Sequence, residues 1–218
     1  MTTPFVLYGN ATWTSPYVLS CFVTLREKGL PFEVRDVALD RGEHRAPDYA
    51  RASLTSRVPM LVDHDFTLSE SSAIVEYLED KVPSPPVLPH ALEHRARCRQ
   101  LMAWVRSDLM PIREERSAEY VFYPHDALKP FAPLSPAAER AATRLFTAAD
   151  ALVPHDAGPL FGDWCIADTE LAMMLQRLVK TGAPVPAKLR DYAEAQWRRA
   201  SVQAHVTQPR PTFASAAL

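Results

Sequence analysis

The sequence predicts two domains, an α/β unit of order βαβ–ββα over residues 1–82 and an all-helical domain over 90–218, joined by a linker at 83–89. Three observations carry this. Apolar runs of period two alternate with runs of period 3.6 as far as Lys81, Pro83-Ser84-Pro85-Pro86 then breaks every periodicity, and only helical spacing follows it.

Taken in order, Phe5-Val6-Leu7-Tyr8 is a short apolar strand, and a polar loop from Gly9 to Thr14 leads into Ser15-Pro16. Proline in a first helical turn lacks only an N–H that would have no partner anyway, so a helix starts there. Val18, Leu19, Phe22, Val23 and Leu25 mark its apolar face, and it ends near Gly29. Pro31 to Val37 alternates with period two and returns as a second strand, parallel to the first because a helix separates them. The polar stretch from Asp40 to Ser56 holds one short helix around Asp48 to Ala52. Met60-Leu61-Val62 and Phe66-Thr67-Leu68 flank the turn Asp63-His64-Asp65 as a hairpin, and the apolar series Ile74, Tyr77, Leu78 opens a third helix at Ser69 to Ser71. Beyond the proline linker, helices are expected over Ala91–Arg116, interrupted or kinked at Pro111, and from Pro136 through Leu152, Ile166 to Lys180 and Pro186 to Ala200, with a loop from Tyr123 to Pro133.

The totals exclude several classes of function. Across 218 residues, 24 basic and 26 acidic side chains are mixed along the chain for a net charge of -2, which offers no basic stripe to a nucleic acid. No apolar run reaches the roughly 20 residues needed to span a bilayer, so no membrane partner is expected. The start, Met1-Thr2-Thr3-Pro4, lacks the features of a signal peptide. Cys21, Cys98 and Cys165 are widely spaced and odd in number, which fits reduced thiols in the cytoplasm better than a disulfide framework.

The chemistry concentrates around Pro59. A proline opening a strand gives up a ladder donor, which leaves Val58 a backbone edge on which an extended peptide can pair. Beside it, unpaired N–H groups and the positive end of a helix dipole at Ser69-Glu70-Ser71 make an anion site. The ligand these features suggest is a small acidic peptide. Ser15, at the start of the first helix, stands where a hydroxyl can donate to a second anion and where it would also serve as an ordinary cap. Cys21, two turns further in among apolar neighbours, reads as a buried structural residue.

Four segments together resemble the cytosolic glutathione S-transferases: Ser15-Pro16-Tyr17-Val18, Val58-Pro59-Met60-Leu61, Leu68-Ser69-Glu70-Ser71-Ser72-Ala73-Ile74 and Phe161-Gly162-Asp163-Trp164-Cys165-Ile166-Ala167-Asp168. The run Ser107 to Arg116 further resembles the bacterial YfcF-like subgroup. The resemblance spans essentially the whole chain and implies a thioredoxin-like first domain, a helical second domain, a homodimer, glutathione as co-substrate and no metal. It implies that Ser15 stabilises the glutathione thiolate, with Tyr8, Thr12 and Thr14 as rivals. It implies a cis bond before Pro59, Val58 paired with the cysteinyl unit of glutathione, and Glu70 and Ser71 on the γ-glutamyl end. The glycyl carboxylate would go to His44, with Arg45 and Arg57 as other cations, and Arg113 would touch the second substrate. Cys165 stands where the family has a Ser/Thr helix cap, so Asp168 is expected to hold that turn largely alone. Ser15-Pro16-Tyr17-Val18 lacks both thiols of a glutaredoxin Cys-Pro-Tyr-Cys, which disfavours dithiol chemistry. The activity implied is attack of activated glutathione on a small electrophile or peroxide. A glutathione-dependent peroxidase, reductase or isomerase is the first alternative, and a non-catalytic interaction protein with this fold is the second.

Overall fold

The structure is a computed structural model that describes residues 5–128 and 130–213. The chain divides into two compact units. One closes at Val87 and takes back the chain from Ala204 onward, and the other runs from Leu88 to Gln203.

In the first unit, β1 (Phe5–Asn10), α1 (Pro16–Glu27), β2 (Phe32–Val37), α2 (Pro47–Ala52), β3 (Met60–Asp63), β4 (Phe66–Ser69) and α3 (Ser71–Lys81) follow in order, with one 3₁₀ turn at Glu43–Arg45. The sheet order is β2-β1-β3-β4. β1 and β2 are parallel, and the other two pairs are antiparallel. α1 begins at the predicted Ser15-Pro16 and stops ahead of Gly29, which takes a left-handed φ of 62° that costs glycine little. The hairpin turns at His64, whose φ of 55° suits a tight two-residue connection. α1 and α3 pack together over the sheet, and Leu7, Val18, Cys21, Phe22, Leu25, Leu61, Ile74 and Leu78 form the core between them. Each such side chain contributes roughly 1.5–3 kcal/mol on burial. Cys21 is fully buried and in no disulfide, as its apolar surroundings predict.

The proline segment is held by this unit. Lys28, at the end of α1, donates from Nζ to Val82 O (2.6 Å), to Pro85 O (3.0 Å) and to Glu79 Oε2 (2.7 Å), and Glu79 also accepts from Val87 N–H (3.0 Å).

The second unit contains α4 (Leu92–Ser107), α5 (Met110–Glu115), α6 (Glu119–Phe122), α7 (Pro136–Leu152), α8 (Ile166–Val179) and α9 (Ala187–Trp197). The helix expected over 91–116 breaks ahead of Pro111, where Leu109 turns left-handed at φ 61°. A proline ring clashes with the carbonyl four residues back in a continuous helix, so the chain breaks at Asp108-Leu109 and puts Pro111 in the first turn of a new helix, where its missing N–H would have no partner anyway. α6 and a 3₁₀ turn at His125–Ala127 lie in or beside a stretch that reads as loop, and α10 (Ala200–Val206) follows where the last predicted helix ends. α8 is the axis of this unit, with every residue from Ile166 to Leu178 buried. Its first turn is a capping box across Cys165 and Asp168. Asp168 accepts from Cys165 N–H (2.9 Å), Leu160 N–H (2.9 Å) and Tyr192 O–H (2.8 Å), so it anchors a turn, a loop and α9 at once. Burial pushes its carboxyl above the usual carboxylate range against those three donors, while the hydrogen bond with the Cys98 thiol, and burial after it, hold the Cys165 thiol protonated. Met173 and Met174 are core residues, while Trp164 is half-buried beneath the Arg199 guanidinium, 4.1 Å from the ring centre.

Candidate functional site

Strand register decides what meets at the carboxyl end of β1. Tyr8 pairs with Met60, and Met60 pairs with Ser69, so one row crosses three strands. The segments that leave this row are Gly9 to Ser15, Val58-Pro59 and Glu70-Ser71, which brings the loop hydroxyls, the start of β3 and the start of α3 to one end of the sheet. Gly9 has no freedom to carry a side chain, because a Cβ there would stand 2.9 Å from Val18 Cγ1 of α1.

Ser15 caps α1, its Oγ accepting from Val18 N–H at 3.3 Å. Capping occupies a lone pair and leaves the hydroxyl proton to donate, so one Ser15 oxygen can cap the helix and face an anion. The residue is half-buried at the positive end of a twelve-residue helix. Among its rivals, Thr14 is buried and shares hydrogen bonds with Thr12 (3.0 Å) and Asn10 (3.2 Å), while Thr12 is exposed. The Tyr8 hydroxyl accepts from Arg35 at 3.2 Å, and the Tyr8 ring meets Tyr49 edge-on. Burial pushes the Tyr49 phenol to about 12, and that phenol donates to Arg57 O at 2.8 Å.

Asn10 went unnoticed in the sequence. It is buried at the end of β1, its Oδ1 accepts from Ser15 N–H (3.2 Å), and its Nδ2 donates to Thr12 (2.7 Å) and Thr14 (3.2 Å). One amide thus fixes the path of the whole loop. A strand ending in Asn before three hydroxyl residues was the available signal. Trp13, inside that loop, is held at φ 53°, a conformation that costs a bulky residue of order 1–3 kcal/mol.

The Val58–Pro59 peptide is cis, as the resemblance implies. Val58 lies just ahead of the β3 ladder and is half-buried. Glu70 is exposed at the N-cap of α3 with φ 74°, and its side chain makes no cap bond, so the first amides of this eleven-residue helix receive nothing from it. Ser71 follows, 3% exposed, and its carbonyl accepts the Cys21 thiol at 3.8 Å. His44 stands in the 3₁₀ turn before α2, its Nδ1 buried without a hydrogen-bond partner among the described residues. Arg45 and Arg57 are exposed. Arg113, in the second unit, donates from Nη1 to Arg106 O at 2.5 Å and so closes the break between α4 and α5. Among the described residues no group of three or more His, Cys, Asp or Glu side chains is arranged to hold a metal, and no helix is long and apolar enough to cross a membrane.

Known proteins give this geometry a context. Residues 14–81 match the family model described as the glutathione S-transferase N-terminal domain, and residues 91–209 match that of its C-terminal domain. The chain belongs to the glutathione S-transferase family. A Burkholderia glutathione transferase homolog solved with bound glutathione is 45% identical over 94% of this chain and 97% of its own, with a TM-score of 0.75. A bacterial maleyl pyruvate isomerase of the zeta class is 26% identical over 92% of this chain and 95% of its own, with a TM-score of 0.71. Glutathione S-transferase 1 of Dianthus caryophyllus is 36% identical over 99 residues, 45% of each chain. The match thus spans about half the length of such curated relatives.

Proposed function

We propose that this glutathione S-transferase family member binds glutathione across the end of the sheet and activates its thiol for attack on a small electrophile or peroxide. The carrying observation is the row Tyr8–Met60–Ser69, which gathers the Ser15 hydroxyl, the Val58 backbone and the uncapped start of α3 within one small region. The γ-glutamyl carboxylate goes to Ser71 and the first amides of α3, its ammonium to Glu70, the cysteinyl backbone to Val58 beside Pro59, and the glycyl carboxylate to His44. The sulfur then faces Ser15. A free thiol titrates near 8.5, and a hydrogen bond with a helix dipole lowers that by a unit or more, so the thiolate fraction of bound glutathione near neutral pH rises about tenfold or more over the few per cent of the free thiol. Arg113 remains the candidate contact for the second substrate, and the run Ser107 to Arg116 supports membership of the YfcF-like subgroup.

Calorimetry tests the binding half. Ser71→Ala is expected to weaken glutathione binding by about 10- to 150-fold, equivalent to roughly 1.5–3 kcal/mol for a hydrogen bond to a charged group, with little effect on turnover at saturation. Unchanged affinity would remove Ser71 from the site.

A second reading, an isomerase, draws support from the zeta-class likeness and from a probable maleylacetoacetate isomerase of Vibrio cholerae that is 30% identical over 118 residues. There the thiolate adds to the substrate and leaves again, so glutathione is not consumed. Assays with a chlorinated aromatic, an organic hydroperoxide and a cis-unsaturated diacid separate the three outcomes by product and by glutathione consumption.

The active form is proposed to be a homodimer. Leu54, in the loop between α2 and β3, is 94% exposed, and the second unit carries a groove of about 560 Å3 whose apolar lining of Leu101, Trp104, Ala148, Ala151 and Leu152 is edged by Arg97 and Gln100, surfaces that a second copy would cover. Leu54→Asp is expected to convert a dimer into a monomer in sedimentation equilibrium. A wild-type chain that sediments as a monomer would end this proposal.

A further inference from the structure

We propose that Arg210 and His205, on the returning C-terminal segment, are positioning residues for the Ser15 loop and act on it through Trp13. The inference rests on the role proposed above for Ser15. Trp13 lies two residues before that hydroxyl in a left-handed conformation, and such a conformation in a bulky residue persists only where its surroundings enforce it. The local turn supplies one tie, Trp13 N–H to Asn10 O at 2.9 Å. Burial raises the carboxyl of Asp36, and the Trp13 side chain acts on it in the opposite direction. The remaining ties come from the other end of the chain.

Arg210 gathers four carbonyls. Its Nη1 donates to Val206 O (2.6 Å) and Gln208 O (2.9 Å), and its Nη2 donates to His205 O (3.2 Å) and to Trp13 O (3.3 Å). Three of these belong to its own segment, which pre-shapes the guanidinium, and the fourth is the loop that carries Ser15. The planar fork of arginine spans these acceptors in a way that a single ammonium cannot match. His205 completes the clamp. Its imidazole is fully buried, 5.2 Å from the Trp13 ring centre and 5.3 Å from that of Phe22, which itself meets Trp13 edge-on at 5.8 Å. Burial and the Arg210 charge lower its pKa to about 3, so it is a neutral aromatic spacer in any ordinary assay. Trp13 is thereby gripped by its carbonyl and by its ring, and displacing it would move the hydroxyl two residues on relative to the glutathione sulfur.

The test compares Arg210→Ala, Arg210→Lys and Ser15→Ala with the wild-type chain, using glutathione and a chlorinated aromatic electrophile. Turnover, calorimetric glutathione affinity, the ultraviolet titration of the bound thiol and the melting temperature are read for each. Arg210→Ala is expected to lower turnover about tenfold and to raise the thiol pKa while glutathione affinity stays within about twofold, because the contact acts on orientation and not on the peptide's own anchors. Arg210→Lys, which keeps three donors, should recover part of the turnover. Unchanged turnover in Arg210→Ala, with Ser15→Ala impaired, would overturn the positioning role and leave the Ser15 reading standing. A parallel fall in turnover, affinity and melting temperature would also overturn it, since that is the pattern of a merely structural arginine. If Ser15→Ala leaves the thiol pKa unaltered, both fall together.

Discussion

Lys28→Ala is expected to cost the chain about 3–5 kcal/mol of stability, because it strips one partner from a buried ion pair. The Lys28 side chain has no solvent exposure and that of Glu79 only 5%. The ammonium is saturated by Glu79 Oε2, Val82 O and Pro85 O, one acceptor for each of its three protons. Alanine leaves the Glu79 carboxylate in a low-dielectric site with its counter-charge gone, and it leaves two carbonyls short of a donor. A charge removed from water and then unpaired outweighs any gain from lost side-chain entropy, which is at most about 2 kcal/mol for lysine. Denaturant titration reads the effect directly, and Lys28→Met with Glu79→Gln should recover much of it by removing both charges. A loss below about 1 kcal/mol for Lys28→Ala would place the pair among weak surface bridges. The consequence reaches function through the same residues, since Lys28 joins the end of α1, which carries Ser15 at its other end, to the chain after α3.

Ser15→Ala is expected to lower turnover by about 10- to 150-fold, the equivalent of the roughly 1.5–3 kcal/mol that a hydrogen bond to a charged group contributes. Its hydrogen bond to sulfur strengthens as charge develops there, so the loss should fall on turnover and thiol pKa more than on glutathione affinity. The same substitution removes the cap bond to Val18 N–H, which costs about 1 kcal/mol of stability. Ser15→Asn separates the two effects. Asparagine caps a helix about as well as serine, so stability should return while the hydroxyl is still missing and turnover stays low. Steady-state kinetics and thermal melts on both variants decide. Full turnover in Ser15→Ala would shift the thiolate contact to Thr12, Thr14 or Tyr8.

Most of the fold was legible because its signals are local. Period two in Phe32–Val37, the Ser15-Pro16 start and the polar turn between Val62 and Phe66 each act within a few residues, and the structure follows them. The interruption expected at Pro111 is present, but its form was not legible, because a proline reads alike as an interior kink and as the first turn of a new helix. The choice between them is made by Leu109, which accepts a left-handed conformation where it is fully buried. α10 escaped because seven residues carry too little periodicity to stand out. At the candidate site, Ser15, Val58, Pro59, Glu70 and Ser71 were visible as types at capping and strand-opening positions. Asn10 and the Trp13 clamp were not, since their meaning lies in contacts that no short window contains. The Arg210–Trp13 bond closes a separation of 197 residues.

The central claim is that glutathione lies across the row from Tyr8 to Ser69 with its sulfur at Ser15, and a structure of the chain with glutathione bound measures this most directly. The expected result places the sulfur within hydrogen-bond distance of Ser15 Oγ, the cysteinyl backbone on Val58 and the γ-glutamyl carboxylate on Ser71 and the first amides of α3. A sulfur nearer to Thr12, Thr14 or Tyr8 than to Ser15, or glutathione seated away from Val58 and Ser71, would contradict it.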